Sequence, residues 1–192
     1  MRVAILPRRL AFAAVLLGVA LGACTPVAVR EDAAGPWIRI PPGSTLTLNR
    51  PIPIPQDRAR VFFRDGRLSA VGANMGPSCG LEVRTLSRDG PQTVQAGTYR
   101  IVRVQDEWTP VAWREPPGVV RVRLASNSDG GSPMIQQGYN LYLTGGPDPN
   151  VIRLTCLGML DVMWKARSIT LAEIRQALGS FATLELAASA PR

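Results

Sequence analysis

The sequence predicts a mainly β domain, an antiparallel β-sandwich or barrel-like fold carrying one C-terminal α-helix. Three observations predict it. Short segments from Trp37 onward alternate apolar and polar residues with the period of a strand. Gly, Pro, Asn and Asp punctuate those segments at hairpin spacing. A single stretch near the end, ITLAEIRQALGS, carries helical periodicity between a cap and a stop.

Taken in order, STLTLNRPIPI alternates Leu46 and Leu48 with Thr45 and Thr47, and its prolines suit an edge strand or a strand end. RARVFFRDGRLSAVG reads as a hairpin, because Asp65-Gly66 supplies the positive φ values of a tight turn. GLEVRTL sets Leu81 and Val83 against Glu82 and Arg84. TYRIVRVQDEW and GVVRVRLAS follow, and YNLYLTGG and NVIRLTCLGML complete the β portion. In the helical stretch, Thr170 and Glu173 form a capping box. Leu171, Ile174 and Leu178 share one face, and Gly179 ends the helix. So short a helix is marginal alone, so it is expected to cover a sheet face or plug one end of the fold.

The first residues read differently. Arg2, Arg8 and Arg9 precede an uncharged run starting at Leu10, the layout of an export signal. Leu21-Gly22-Ala23-Cys24 closes that run and resembles a bacterial lipobox. The resemblance implies cleavage between Ala23 and Cys24, after the Cys24 sulfur has received a diacylglycerol. An uncleaved membrane helix is the competing reading, since about 20 apolar residues span a bilayer. Gly18, Gly22, Thr25 and Pro26 weaken the last third as a helix. The expected organisation is a signal peptide over 1–23, a flexible tether over 24–36, one β-rich domain over 37–186 and a short tail over 187–192.

Composition narrows the function classes. Without the signal arginines the chain holds 19 basic and 14 acidic residues, and Lys165 is its one lysine. The arginines are scattered along strands, which fits a solvated face better than a docking run. Nucleic acid is a poor partner for an exported protein. Once Cys24 is lipidated, Cys79 and Cys156 form an even pair in an oxidising compartment, where a disulfide is expected.

Catalytic chemistries mostly fall away. GPSCG matches G-x-S-x-G at Ser78, but that motif needs a following helix and a histidine base. LEVRTL reads as a strand, and the chain has no histidine. Val162 stands where a serine would have to precede Lys165 in an S-x-x-K motif. The missing histidine also removes the commonest zinc ligand. ASNSDGGSPMIQ has Ala125 and Gln136 where a calcium loop needs carboxylates, so it reads as a polar hairpin loop. Asp106 and Glu107, adjacent in a strand, point to opposite faces and make no acid/base pair. No cofactor, no metal and no enzymatic activity are expected. EWTPVAWREPPG remains: Trp108 and Trp113 flank Pro110 and form a loop over an open core edge or, alternatively, a contact for a peptide, a glycan or a membrane interface.

Beyond the lipobox, four blocks resemble small lipoproteins of the Gram-negative envelope: PPGSTLTLNRPIPIPQDRARVFFRDG, CGLEVRTLSRDGPQTVQAGTYRIVRV, IRLTCLGM and TLAEIRQALG. That resemblance implies a periplasmic, lipid-anchored domain without an activity to transfer. Thr25, where an Asp would retain the protein at the inner membrane, implies sorting to the outer membrane. The leading expectation is therefore a non-enzymatic module that binds or scaffolds an envelope protein or glycan. The alternative is a small-ligand binder, for lipid or glycan, using the interior or mouth of the β-fold. A deep apolar pocket would favour the alternative, and an exposed apolar patch the leading reading.

Overall fold

The computed structural model describes residues 40–71, 75–111 and 134–188. They form a mainly β domain, a curled antiparallel sheet with the form of a half-barrel, and a single C-terminal helix. Eleven strands follow in chain order: β1 Thr45–Leu48, β2 Ile52–Ile54, β3 Arg60–Arg64, β4 Arg67–Ser69, β5 Ser78–Val83 and β6 Gln92–Val94. Then come β7 Gly97–Val111, β8 Met134–Thr144, β9 Val151–Leu157, β10 Asp161–Val162, the helix α1 Leu171–Leu178 and β11 Ala182–Glu185. The main sheet has the order β11-β1-β7-β8-β9-β5-β3-β4, with β10 on β8, and β2 and β6 pair separately.

Alternation decides which side faces the core. In β3, Val61 and Phe63 are buried while Arg60, Phe62 and Arg64 are only half-buried. Leu81 lies opposite Leu154 and Leu154 opposite Leu141, so one apolar row crosses β5, β9 and β8. The β3–β4 turn is the expected one, with Asp65 and Gly66 at φ 46° and 68°, as a two-residue hairpin turn requires. Val102 sits at a register shift in β7 between Ile101 and Arg103 and is thrown outward. Beyond that shift β7 and β8 stay paired as far as Val111 and Met134, well past the end of β1.

Helix α1 starts as its sequence demands. The Thr170 hydroxyl accepts the Glu173 amide while the Glu173 carboxylate accepts the Thr170 amide, a complete capping box. Leu171, Ile174, Ala177 and Leu178 are buried. The helix packs on β3, β5 and β11, which lie on the two opposite arms of the sheet order. It therefore fills the opening of the half-barrel. At its C-terminus the Gly66 amide donates to the Ala177 carbonyl at 3.1 Å. A Cβ on Gly179 would lie 2.4 Å from the Gly66 Cα, so the helix end and the β3–β4 turn meet backbone to backbone.

Several expectations need correcting. β1 is an inner strand between β11 and β7, while the prolines fall, as expected, on an edge strand and its ends, because β2 pairs with β6 alone among the described residues. Met134, Ile135 and Gln136, expected in a polar loop, begin strand β8, where Gln136 is buried and donates to the Gly158 carbonyl. Chain after the helix forms β11 against β1, and the Ala187 amide is tied to the Ser44 hydroxyl at 3.0 Å. GVVRVRLAS lies outside the described residues.

Candidate functional site

The two cysteines of the domain meet across neighbouring strands. Cys79 on β5 stands directly opposite Cys156 on β9, with Cα atoms 4.0 Å apart, and the two sulfurs are bonded. That spacing is close to the ~4.5 Å of opposed residues that exchange no backbone hydrogen bond. Both residues are fully buried, so the disulfide is a core brace and not an accessible redox pair. Cys24 and Trp113 lie outside the described residues. Trp108 lies on β7 and is exposed.

The side of the sheet away from the core carries a polar row. Arg103, Tyr142, Arg153, Glu82 and Arg60 occupy successive strands from β7 to β3. The Arg103 guanidinium stacks 3.7 Å from the Tyr142 ring. Glu82 accepts from Arg153 at 2.9 Å and also from Arg60. Burial works against the Glu82 charge, but hydrogen bonds from Arg153 and Arg60 prevail and hold its pKa below the ordinary value. The two guanidiniums thus hold Glu82 as a shared ion-pair partner across β3, β5 and β9. One row along, Asn140 donates to Glu107 and accepts from Thr155 at 2.7 Å. These are cross-strand pairs that fix register. An open groove of about 460 Å³ beside β3 is lined by Arg58, Arg60, Phe62, Val71 and Glu82. It lies outside the half-barrel, whose interior is filled by Leu81, Leu141, Leu154, Ile174 and Leu178.

The residues weighed for catalysis in the sequence are placed as follows. Ser78 opens strand β5 opposite Leu157, with a strand and no helix after it. Glu107 is engaged by Asn140 and Thr109 on one face of β7, while Asp106, its chain neighbour, is opposite Tyr139 in register.

The feature with most exposed chemistry is the excursion from Gly158 to Ser168. It leaves and returns at one residue, since the Gly158 amide donates to the Gln137 carbonyl at 2.8 Å and Ser168 bridges to Gln137. The Gln136 amide group closes the neck by donating to the Gly158 carbonyl at 2.9 Å. A Cβ on Gly158 would meet the Arg167 carbonyl oxygen at 2.9 Å and the Ile169 nitrogen at 3.2 Å. Glycine is what lets the neck shut. A compact loop with touching ends is an Ω-type element. Inside it, β10 pairs with β8, and the Lys165 and Ala166 amides both donate to the Val162 carbonyl, which fixes a tight turn at the tip.

That tip is apolar and solvent-facing. Trp164 is 70% exposed, with Met159 at 53% and Met163 at 47%. Met75 is exposed beside them, its carbonyl accepting from Leu160 at 2.8 Å. Trp108 lies on β7 opposite Gln137, the neck residue, whereas β10 of the loop pairs with the other edge of β8. The exit of the loop is fastened to the helix, because Arg167 donates through both terminal nitrogens to the Glu173 carboxylate at 2.8 and 2.6 Å. Those bonds, against burial and together with Thr170, lower the Glu173 pKa to about 2. Sequence reasoning singled out Trp108 and missed this loop. Its signal was there in GMLDVMWKAR, where large apolar residues lose strand alternation beside the one lysine.

Among the described residues no helix is long and apolar enough to cross a membrane. Searches of protein-family models, of curated proteins and of solved structures find no match to the chain.

Proposed function

We propose that this protein is a lipid-anchored envelope protein, held by an acyl group on Cys24, whose folded domain is a non-enzymatic binding module. The observation that carries the binding role is the pinned, exposed loop bearing Met159, Met163 and Trp164, with Met75 beside it. Large apolar side chains in solvent are costly for an isolated domain when they cluster, and such patches mark interaction sites. The remaining exposed large hydrophobics, Val71, Leu86, Val102, Trp108 and Leu186, come from separate places in the chain.

The buried Cys79–Cys156 disulfide supports export, since bridges of this kind persist in oxidising compartments. The filled interior of the half-barrel weighs against a ligand held inside it. Location in the outer membrane, facing the periplasm, follows from the lipobox and Thr25. Cys24→Ser tests the anchor. That variant should accumulate as an unprocessed or mislocalised precursor. Maturation to the wild-type mass with unchanged membrane fractionation would refute lipidation.

A further inference from the structure

We infer that the Gly158–Ser168 loop is a second membrane contact, inserting Trp164 and its methionines into the lipid interface of the bilayer. The inference rests on the anchored reading and names the partner of the exposed apolar end. Trp164 and Met163 stand at the tip of a turn closed by two bonds to the Val162 carbonyl. The neck is closed at Gln137, so the tip is already ordered before it meets a partner. Tryptophan has an apolar body and a polar N–H, which suits the headgroup boundary. Methionine side chains adapt to an irregular acyl surface.

Charge favours lipid over a protein partner. Lys165 follows Trp164, is exposed, and makes no ion pair among the described residues, so its ammonium is available to an anionic headgroup. Two or more acyl chains already attach the protein stably, so the loop sets the orientation of the domain more than its affinity.

The test uses the full-length protein purified from membranes. It is reconstituted in phosphatidylethanolamine vesicles with a minor share of phosphatidylglycerol and dibrominated phosphatidylcholine. Bromolipid should quench tryptophan emission, and Trp164→Phe should remove most of the quenched fraction, as for a ring at the interface. Lys165→Glu should reduce quenching where phosphatidylglycerol is present and leave it unchanged where it is omitted. Equal quenching in wild type and Trp164→Phe overturns the inference. A photo-crosslinker at position 164 that captures one protein in place of lipid in intact cells also overturns it. Intact mass reports the anchor separately. Acylated protein with an indifferent Trp164 sinks the loop contact alone. Unacylated protein whose Trp164 is still quenched on vesicles sinks the anchor alone.

Discussion

Glu173 does two jobs with one carboxylate, closing the N-terminus of α1 and holding Arg167 at the exit of the exposed loop. Its pKa is lowered from 4.5 to about 2 by the Arg167 bonds, against burial and with help from Thr170. A carboxylate whose folded pKa lies below its unfolded value stabilises the fold fully above the unfolded pKa. That contribution is lost as pH falls from about 4.5 towards about 2. Arg167 is about half exposed, so solvent screening reduces the effect to about 1–2 kcal/mol. Glu173→Gln should therefore lower the urea midpoint at neutral pH and flatten its dependence over that acid window. An unchanged acid slope would show that the pairing adds nothing to stability. Gly158 makes a different demand on its residue. An alanine there would press a Cβ on the Arg167 carbonyl and the Ile169 amide, both backbone. Gly158→Ala should cost about 1–3 kcal/mol, as overpacking does, with hydrogen exchange rising first between Gly158 and Ser168. Uniform exchange across the domain would mean that the neck is not the point of strain.

The helix is the element on which closure of the sheet depends. Leu178 and Ile174 are fully buried, and α1 touches strands from both arms of the curl. Leu178→Ala should cost roughly 2–5 kcal/mol. Gln176 is exposed but donates to Asp65 in the β3–β4 turn at 3.0 Å, and loss of one exposed bond keeps Gln176→Ala within about 0.5 kcal/mol. Thermal melts of the full-length protein compare the two, and a Leu178→Ala variant melting with wild type would remove α1 from the core. This helix was legible because cap, apolar face and stop all agree within twelve residues, ITLAEIRQALGS. The β3–β4 hairpin was legible for the same reason. β6, β10 and β11 escaped, since two to four residues give too few alternations to separate a strand from a loop. The loop escaped for another cause. The alternating-strand reading ends at NVIRLTCLGML and says nothing of Met163 and Trp164, which face solvent.

At the scale of the molecule, the main path of the sheet runs from β11 to β4, with β10 branching at β8, and among the described residues those two end strands do not pair with one another. Helix packing joins the two ends non-covalently, while the Cys79–Cys156 bond ties β5 to β9 within one arm, across a sequence separation of 77. Those strands come from distant parts of the chain, so in the unfolded state the bond removes much of the freedom that folding would otherwise have to remove. The chain-entropy relation puts that at about 4 kcal/mol. Both sulfurs are buried, so reductant reaches them only when the domain opens. Folded protein exposed briefly to dithiothreitol should therefore melt as before. Protein unfolded, reduced and refolded, or carrying Cys79→Ser with Cys156→Ser, should lose about 4 kcal/mol in urea. Peptide mapping without reductant should recover Cys79 and Cys156 in one linked pair. Two freely alkylated thiols in protein taken from its native compartment would refute the bridge. Rapid loss of stability under native dithiothreitol would instead show that the β5–β9 pair opens far more readily than its burial implies.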